Sequence, residues 1–440
     1  MEFTAKATSN KGFLDTYFKI SERNSSIKQE VIGGITTFLA MSYIIFVNPA
    51  ILSTTGMEKG ALITVTILAT AIGTMISGFW GKSPLAIGPG MGLNAFFTYT
   101  LVLGKGVPWE TALGVVFISG LFFMILAIGG IREKLANAIP RSISTAAAAG
   151  IGLFIALIGL KNMGVIVPHP ATMVALGHFN SHSLLAILGL TLMAIFEMRQ
   201  IKGGILLSIL ITTIIGIFIG LVNIPTEFIS MPPSMAPIAM KLDILSALKF
   251  SLMGPIFSFM FIDLFDSLGF LIACCKEMGL ENEKGEIKAL GRMLHADVAS
   301  TIIGAIMGTS TMISLAESAT GIAAGARTGL AAIVTAILML FSLFFTPIVA
   351  IVPMFAVAPA MVMVGVYMFK NVKDIDFSDM KIAVSSFVTI FMMPLTYSIS
   401  IGLSFGFLAY IILHIGAGEI KKISLTLWLI GSLSLINLLI

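Results

Sequence analysis

Apolar runs long enough to cross a bilayer recur along the whole chain, separated by short polar stretches. A crossing helix needs about 20 mainly apolar residues, fewer where it is broken. On that rule the hydropathy predicts spans near 30–53, 61–80, 84–101, 111–131, 142–160, 183–198 and 203–222. A second set follows near 246–275, 293–308, 311–323, 328–351, 355–370, 381–397 and 400–417. One more apolar run, 425–440, comes after Lys421-Lys422 and fits either a further crossing or a helix lying in the interface.

Two of these spans are broken. Gly88-Pro-Gly-Met-Gly-Leu-Asn94 and Gly308-Thr-Ser-Thr-Met-Ile-Ser-Leu-Ala-Glu317 are too rich in glycine, proline or hydroxyl residues for an ordinary spanning helix. Lipid cannot hydrogen-bond to interrupted backbone, so such breaks line a protein cavity. Breaks in corresponding places of two halves point to a transporter site near mid-membrane. The halves match elsewhere too. Thr111-Ala-Leu-Gly-Val-Val resembles Thr328-Gly-Leu-Ala-Ala-Ile, and each opens a long apolar helix that ends before a proline, Pro140 or Pro353. The next helix closes on Lys161-Asn162 in one half and Lys370-Asn371 in the other. Seven spans is an odd number, so the second copy runs upside down relative to the first. The predicted fold class is an all-α polytopic membrane protein of two inverted seven-span repeats, 30–222 and 246–417. A cytoplasmic tail (1–29), a linker (223–245) and a C-terminal hydrophobic segment (418–440) complete it.

Composition leaves no room for a separate soluble domain. Hydrophobic residues make up 57% of the chain and charged residues 11%, against about a quarter charged in soluble proteins. No apolar stretch of signal-peptide type precedes the first span. Of the 26 Lys and Arg, only Lys59, Lys105, Lys161, Lys241 and Lys249 fall outside when the N-terminus is placed in the cytoplasm; the other 21 fall inside. That alternation supports the span count, because one wrong span would invert every later sign.

The chemistry is sparse. Cys274 and Cys275 are adjacent and make neither a disulfide framework nor a metal motif. The five histidines are scattered, so no metal, cofactor or nucleophile–base pair is expected. The carboxylates inside predicted spans are Asp263, Asp266, Asp297 and Glu317, with Glu30 and Glu197 near helix ends. Each carries an insertion cost of at least ~2.5–3.5 kcal/mol at mid-membrane and therefore needs a task. Asp263 and Asp266 stand three apart on one helix face. Two close carboxylates in low dielectric rarely both ionise, so the pair suits proton coupling. Glu317 opens a short half-helix, where the helix end favours a carboxylate that either binds or merely caps. Asn94 offers an acceptor and two donors. The glycines before it, Gly90 among them, supply close backbone approach and dihedrals closed to other residues. Ser314 lies in the extended part of the second break. Phe96, Phe97, Phe259, Phe261 and Phe265 are expected to pack the core rather than stack a ligand. Acid and amide groups reading a planar edge suit a nucleobase. No Arg or Lys marks the middle of the membrane, which disfavours an anion.

Four stretches together resemble a known family: 30–49, 88–97, Phe261-Ile-Asp-Leu-Phe-Asp-Ser-Leu-Gly269, and 308–329 with its Glu317-Ser-Ala-Thr-Gly. They are similar, in order, to the AzgA-like purine permeases of the nucleobase–cation symporter-2 group. The resemblance implies a core domain, 30–140 with 246–353, and a gate domain, 141–222 with 354–417. It implies purine bound between them and taken up with protons, sodium being the less favoured ion. It places substrate contacts on Asp263, Glu317 and Asn94, and a second family carboxylate on Asp266. Phe270 and Ala326 depart from the family pattern and leave the exact purine open. The expected partners are the purine, the proton and the lipid bilayer, with a homodimer as a candidate assembly and no nucleic acid. The competing reading is a transporter or channel of the same fold for another small solute, an anion or a pyrimidine base.

Overall fold

With no water in the bilayer to satisfy a bare backbone, the apolar runs fold as helices that bond internally. A computed structural model describes residues 12–128, 140–225, 227–280 and 290–439, without the side chains of 126–128, 264–266, 268, 269, 276 and 437. The predicted inside cations Lys6, Lys11, Arg132, Lys134, Lys284 and Lys288 lie outside that set, as does the predicted end of the fourth span at 129–131.

The first crossing is bent into α1 (Ile27–Met41) and α2 (Ile44–Leu52). Then come α3 (Lys59–Ile76), strand β1 (Ile87–Pro89), α4 (Met91–Ala95), α5 (Trp109–Ile128) and α6 (Arg141–Asn162). A hairpin of β2 (Ile166–His169) and β3 (Met173–Leu176) leads to α7 (Ser181–Met198) and α8 (Gly204–Phe218). The second half repeats the order: α9 (Met253–Glu277), α10 (Leu290–Met307), β4 (Met312–Ser314), α11 (Ser318–Ala323), α12 (Gly329–Phe341), α13 (Met354–Phe369), α14 (Met380–Thr396) and α15 (Ile399–Gly416). Side chains at the polar–apolar junctions start several of these helices: Ser26, Glu58, Asn180, Asp379 and Ser398 each accept a free N–H of the first turn. Among the described residues, seven helical stretches are long and apolar enough to cross a membrane unaided. Wide π-type turns extend α3 at Ser77–Gly81 and α4 at Phe96–Val102.

The packing is the same when the halves are exchanged. α3 packs on α12 as α10 packs on α5; α1 packs on α11 as α9 packs on α4; α7 packs on α13 as α14 packs on α6. Two contacts are their own counterparts, α6 on α13 and β1 on β4. Both therefore lie on the pseudo-two-fold axis. The α6–α13 contact is glycine against glycine. A Cβ on Gly152 would sit 2.7 Å from the Gly365 carbonyl oxygen, and a Cβ on Gly365 2.5 Å from that of Gly152. Small residues let two helices approach this closely.

The run left open by hydropathy forms α16 (Leu425–Leu439), which lies antiparallel along α15. Gly431 meets Ile411, while Leu433, Ser434 and Ile436 share a cavity with Ser400, Leu403 and Ser404. Its Leu427, Ile430 and Ser434 are buried against the bundle, while Leu425, Leu429 and Leu439 are exposed. Near the other terminus, Arg23 Nη1 donates to the carbonyls of Lys82 (2.7 Å) and Arg327 (2.8 Å), tying one half to the other. Glu30 accepts from the backbone N–H of Arg327 (2.9 Å) and Thr328 (3.2 Å), which gives this buried carboxylate a structural task.

Candidate substrate site

The two breaks meet each other. β1 and β4 pair antiparallel with Ile87 opposite Ser314, Gly88 opposite Ile313 and Pro89 opposite Met312. Gly90 N–H donates to Thr311 O (3.1 Å) and Leu315 N–H to Ala86 O (2.9 Å), so the ladder continues at both ends. Each break thus satisfies the backbone groups the other sets free. Gly88, Gly90 and Gly92 were expected to hold glycine-only dihedrals, and they do not. The left-handed glycine is Gly308, at φ +100°. The first break needs glycine for approach. A Cβ on Gly88 would lie 2.8 Å from Leu315 Cδ1, and one on Gly90 2.8 Å from Ile313 Cδ1. Gly90 makes room for the opposite segment.

Ser314 is buried on β4, and its Oγ donates to Asp297 Oδ1 (3.0 Å). Asp297 Oδ2 is hydrogen-bonded to Ser267 Oγ, which also lies 3.0 Å from Asp263 Oδ1. Asp263 and Asp297 are both buried. A chain of hydroxyls and carboxyls therefore runs from the crossing strand through α10 to α9. Asp266 stands in α9, but its side chain lies outside the described residues. Sequence reading noted Asp297 as an intramembrane carboxylate and gave it no role. The signal was Ser267, one helical turn after Asp263, on the face that turns toward α10.

Glu317 directly precedes α11 and does not cap it with its side chain. Its Oε1 instead accepts the Tyr43 hydroxyl at 2.6 Å, from the bend between α1 and α2. Tyr367 of α13 is within electrostatic reach of Tyr43 and Glu317. Asn94 is fully buried in α4. Its Nδ2 donates to Asn48 Oδ1 (2.6 Å), and Asn48 Nδ2 donates to Thr66 (2.7 Å) and Thr309 (3.3 Å). Asn94 Oδ1 makes no hydrogen bond among the described residues. What Asn94 retains for a ligand is an acceptor. Asn48 and Tyr43 were not picked out from sequence as site residues.

Phe96 meets Phe259 edge-on at 4.8 Å, and with Phe97 both are fully buried, as core packing requires. Phe261 faces Phe407 of α15 at 6.3 Å. Both line a cavity of about 340 Å³ between α9, α15 and α16, together with Ser258 and Leu403. Phe261 stands two residues before Asp263. Among the described residues no group of His, Cys, Asp and Glu is placed to hold a metal.

This architecture can be set beside known proteins. Residues 28–429 match the xanthine/uracil permease model, described as the Permease family. The chain belongs to that family. It is therefore a multi-pass membrane protein of the nucleobase–cation symporter-2 type. It is 39% identical to the adenine permease AdeP of Escherichia coli, over 95% of this chain and 94% of that one. It is 41% identical to the guanine/hypoxanthine permease PbuG of Bacillus subtilis, over 93% and 96%. Among solved structures, the transmembrane domain of the cyanobacterial bicarbonate transporter BicA superposes with a TM-score of 0.65 at 16% identity, covering 86% of this chain and 97% of that one. Murine Slc26a9, an anion transporter in its inward-facing state, gives 0.63 at 12% identity, over 93% and 74%. These last two show a shared fold. Their chemistry is a separate matter.

Proposed function

We propose that this permease imports purine nucleobases across the cell membrane by proton symport with alternating access, with its N-terminus in the cytoplasm. The observation that carries the reading is the Glu317 carboxylate held by Tyr43 beside the β1–β4 crossing. A fixed carboxylate accepts from ring N–H and amino groups, and Asn94 Oδ1, three residues beyond Met91 at the start of α4, adds a second acceptor. The names of the related adenine and guanine/hypoxanthine permeases support the same substrate class and point to transport rather than catalysis. Substrate contacts are assigned to Asp263, Glu317, Asn94, Gly90 and Ser314. The coupling proton is assigned to Asp263, Asp266 and Glu317. Core and gate follow the residue bounds given above. The fold is shared with a bicarbonate transporter, but carboxylates at the crossing repel an anion.

The test is uptake of labelled hypoxanthine, guanine and adenine into proteoliposomes, with uracil and bicarbonate as comparison solutes. Saturable purine uptake that a protonophore abolishes is the expected result. Uptake of bicarbonate or uracil in preference to every purine overturns the assignment, and sodium-driven uptake insensitive to the protonophore overturns the proton.

A further inference from the structure

Asp297 is a buried carboxylate on α10 to which the transport reading gives no task. Its Oδ1 accepts from Ser314, and its Oδ2 faces Ser267 Oγ. The same Ser267 oxygen is 3.0 Å from Asp263 Oδ1. A serine hydroxyl carries one hydrogen and two lone pairs. It can donate a full hydrogen bond to only one carboxylate at a time. For both contacts to be hydrogen bonds, one of the carboxyls must bring a proton and donate it to Ser267. Two ionised carboxylates around one hydroxyl, away from water, would also repel each other.

We propose that Asp263, Ser267 and Asp297 form a bridge holding one shared proton, with Ser267 as the positioning residue that lets the proton pass between the two carboxyls. In one arrangement Asp297 O–H donates to Ser267, and Ser267 O–H donates to the Asp263 carboxylate. In the other, Asp263 O–H donates to Ser267, and Ser267 O–H donates to the Asp297 carboxylate. The exchange breaks the Asp297 O–H and Ser267 O–H bonds and forms a new Ser267 O–H and an Asp263 O–H. The proton count and the net charge stay constant. The Ser314 hydroxyl on β4 supports Asp297 when it is ionised, so the bridge reports to the crossing strand. This deepens the transport reading and rests on it for the purpose of the proton.

The elements packed against the bridge carry other titratable groups. Along α9 they are Asp266, Cys274, Cys275, Lys276 and Glu277, and on α10 Arg292 and His295. Glu317 follows β4, and α15 carries Tyr410 and His414 near its far end. On α3 and α5 the charges, Lys59 and Glu110, stand at the helix starts, as Arg141 and Lys161 stand at the ends of α6; α4 and α11 carry none.

Infrared titration of the purified, substrate-free full chain reads the bridge directly, through the absorbance of protonated buried carboxyls. Wild type, Ser267→Ala, Ser267→Thr and Asp297→Asn are compared. Ser267→Ala is expected to move the midpoint of that absorbance by about one pH unit or more, since it separates two coupled carboxyls. Ser267→Thr keeps the hydroxyl and is expected to restore the wild-type midpoint. Asp297→Asn, if it folds, removes one titrating carboxyl and should decrease the amplitude. An unchanged midpoint in Ser267→Ala, or a Ser267→Thr that behaves like alanine, overturns the bridge. The pH profile of purine uptake is measured alongside. Wild type without purine uptake would sink the transport reading, while the infrared midpoints would still decide whether the bridge exists.

Discussion

In the first half, Asn48 on the first crossing, Thr66 on the second and Asn94 after the break form one hydrogen-bonded group, joined by Thr309 from the other half. In the second half, Asp263 and Ser267 on the first crossing, Asp297 on the second and Ser314 in the break form another. The two groups occupy equivalent spans of the inverted repeats and tie the same three elements together. One is made of amides and hydroxyls, the other of carboxyls and hydroxyls. The repeat therefore supplies a scaffold twice, and side-chain chemistry divides the labour. The neutral group has no carboxyl to titrate. The acidic group has two. A symmetric backbone with one acidic arm suits the proton symport proposed above.

The largest expected effect comes from making the neutral arm acidic. Asn48 is fully buried and donates from Nδ2 to two threonines. Asn48→Asp removes those donors and buries a second acidic site, at a cost of about 3–5 kcal/mol if the charge stays unpaired. The thermal midpoint should fall steeply at pH 7 and recover as pH falls, because the neutral acid is the tolerated form. A variant with wild-type stability at pH 7 would mean the first arm tolerates charge, and the division of labour would be lost.

Next is Glu317, the carboxylate at the second break. Glu317→Gln should cut purine uptake at least about a hundredfold while the protein stays folded, as expected for a lost charged contact of about 3 kcal/mol. Tyr43→Phe should act in the same direction and less, about tenfold, since it removes one hydrogen bond to that charge. Near-normal saturable uptake by Glu317→Gln removes it from the site.

Much of this was legible in the chain. Hydropathy gave the order of the helices, and the glycine, proline and hydroxyl content marked both breaks, because each rests on local composition. The pairing of Gly88 with Ile313 was not legible, since it joins residues from opposite halves; the glycines were expected to bring backbone close to substrate and to hold special dihedrals, and they instead make room for the opposite strand. The Asp263–Ser267–Asp297 link was hidden for the same reason. Asp263 and Ser267 are neighbours on one helix, but which helix faces Ser267 is decided by tertiary packing. Asp266 drew attention through its spacing from Asp263 and through the family resemblance, and its side chain lies outside the described residues. Glu317 was read as a binding group with capping of its own helix as the alternative, and its side chain turns to Tyr43.

A smaller effect sharpens the neutral arm. Asn94 spends its Nδ2 on Asn48 and keeps Oδ1 without a partner among the described residues. Asn94→Ala should weaken purine binding by about 1–3 kcal/mol, roughly ten- to a hundredfold. The losses should differ among hypoxanthine, guanine and adenine, whose edges present different donors to one acceptor. Equal losses for all three would return Asn94 to a packing role and leave recognition to the second half.

The smallest effect belongs to a charge cluster that has water beside it. Glu419, in the loop after α15, accepts from Lys422 (2.8 Å) and Lys381 (3.0 Å). These two hydrogen bonds, that from Lys422 first, hold its carboxyl at about 2, below the usual 4.5, against the opposing effect of burial. A depressed carboxylate stabilises the fold above its unfolded value and loses that contribution as pH falls through its folded value. Glu419→Gln should therefore lower the thermal midpoint slightly at pH 7, and the gap from wild type should close between about pH 4.5 and about pH 2. Surface ion pairs contribute little because water competes for both partners. The pH profile of purine uptake should stay that of wild type. If Glu419→Gln moved that profile as far as Ser267→Ala, proton coupling would extend to a solvated cluster remote from the crossing, and the acidic arm would lose its claim to be the titrating half of the carrier.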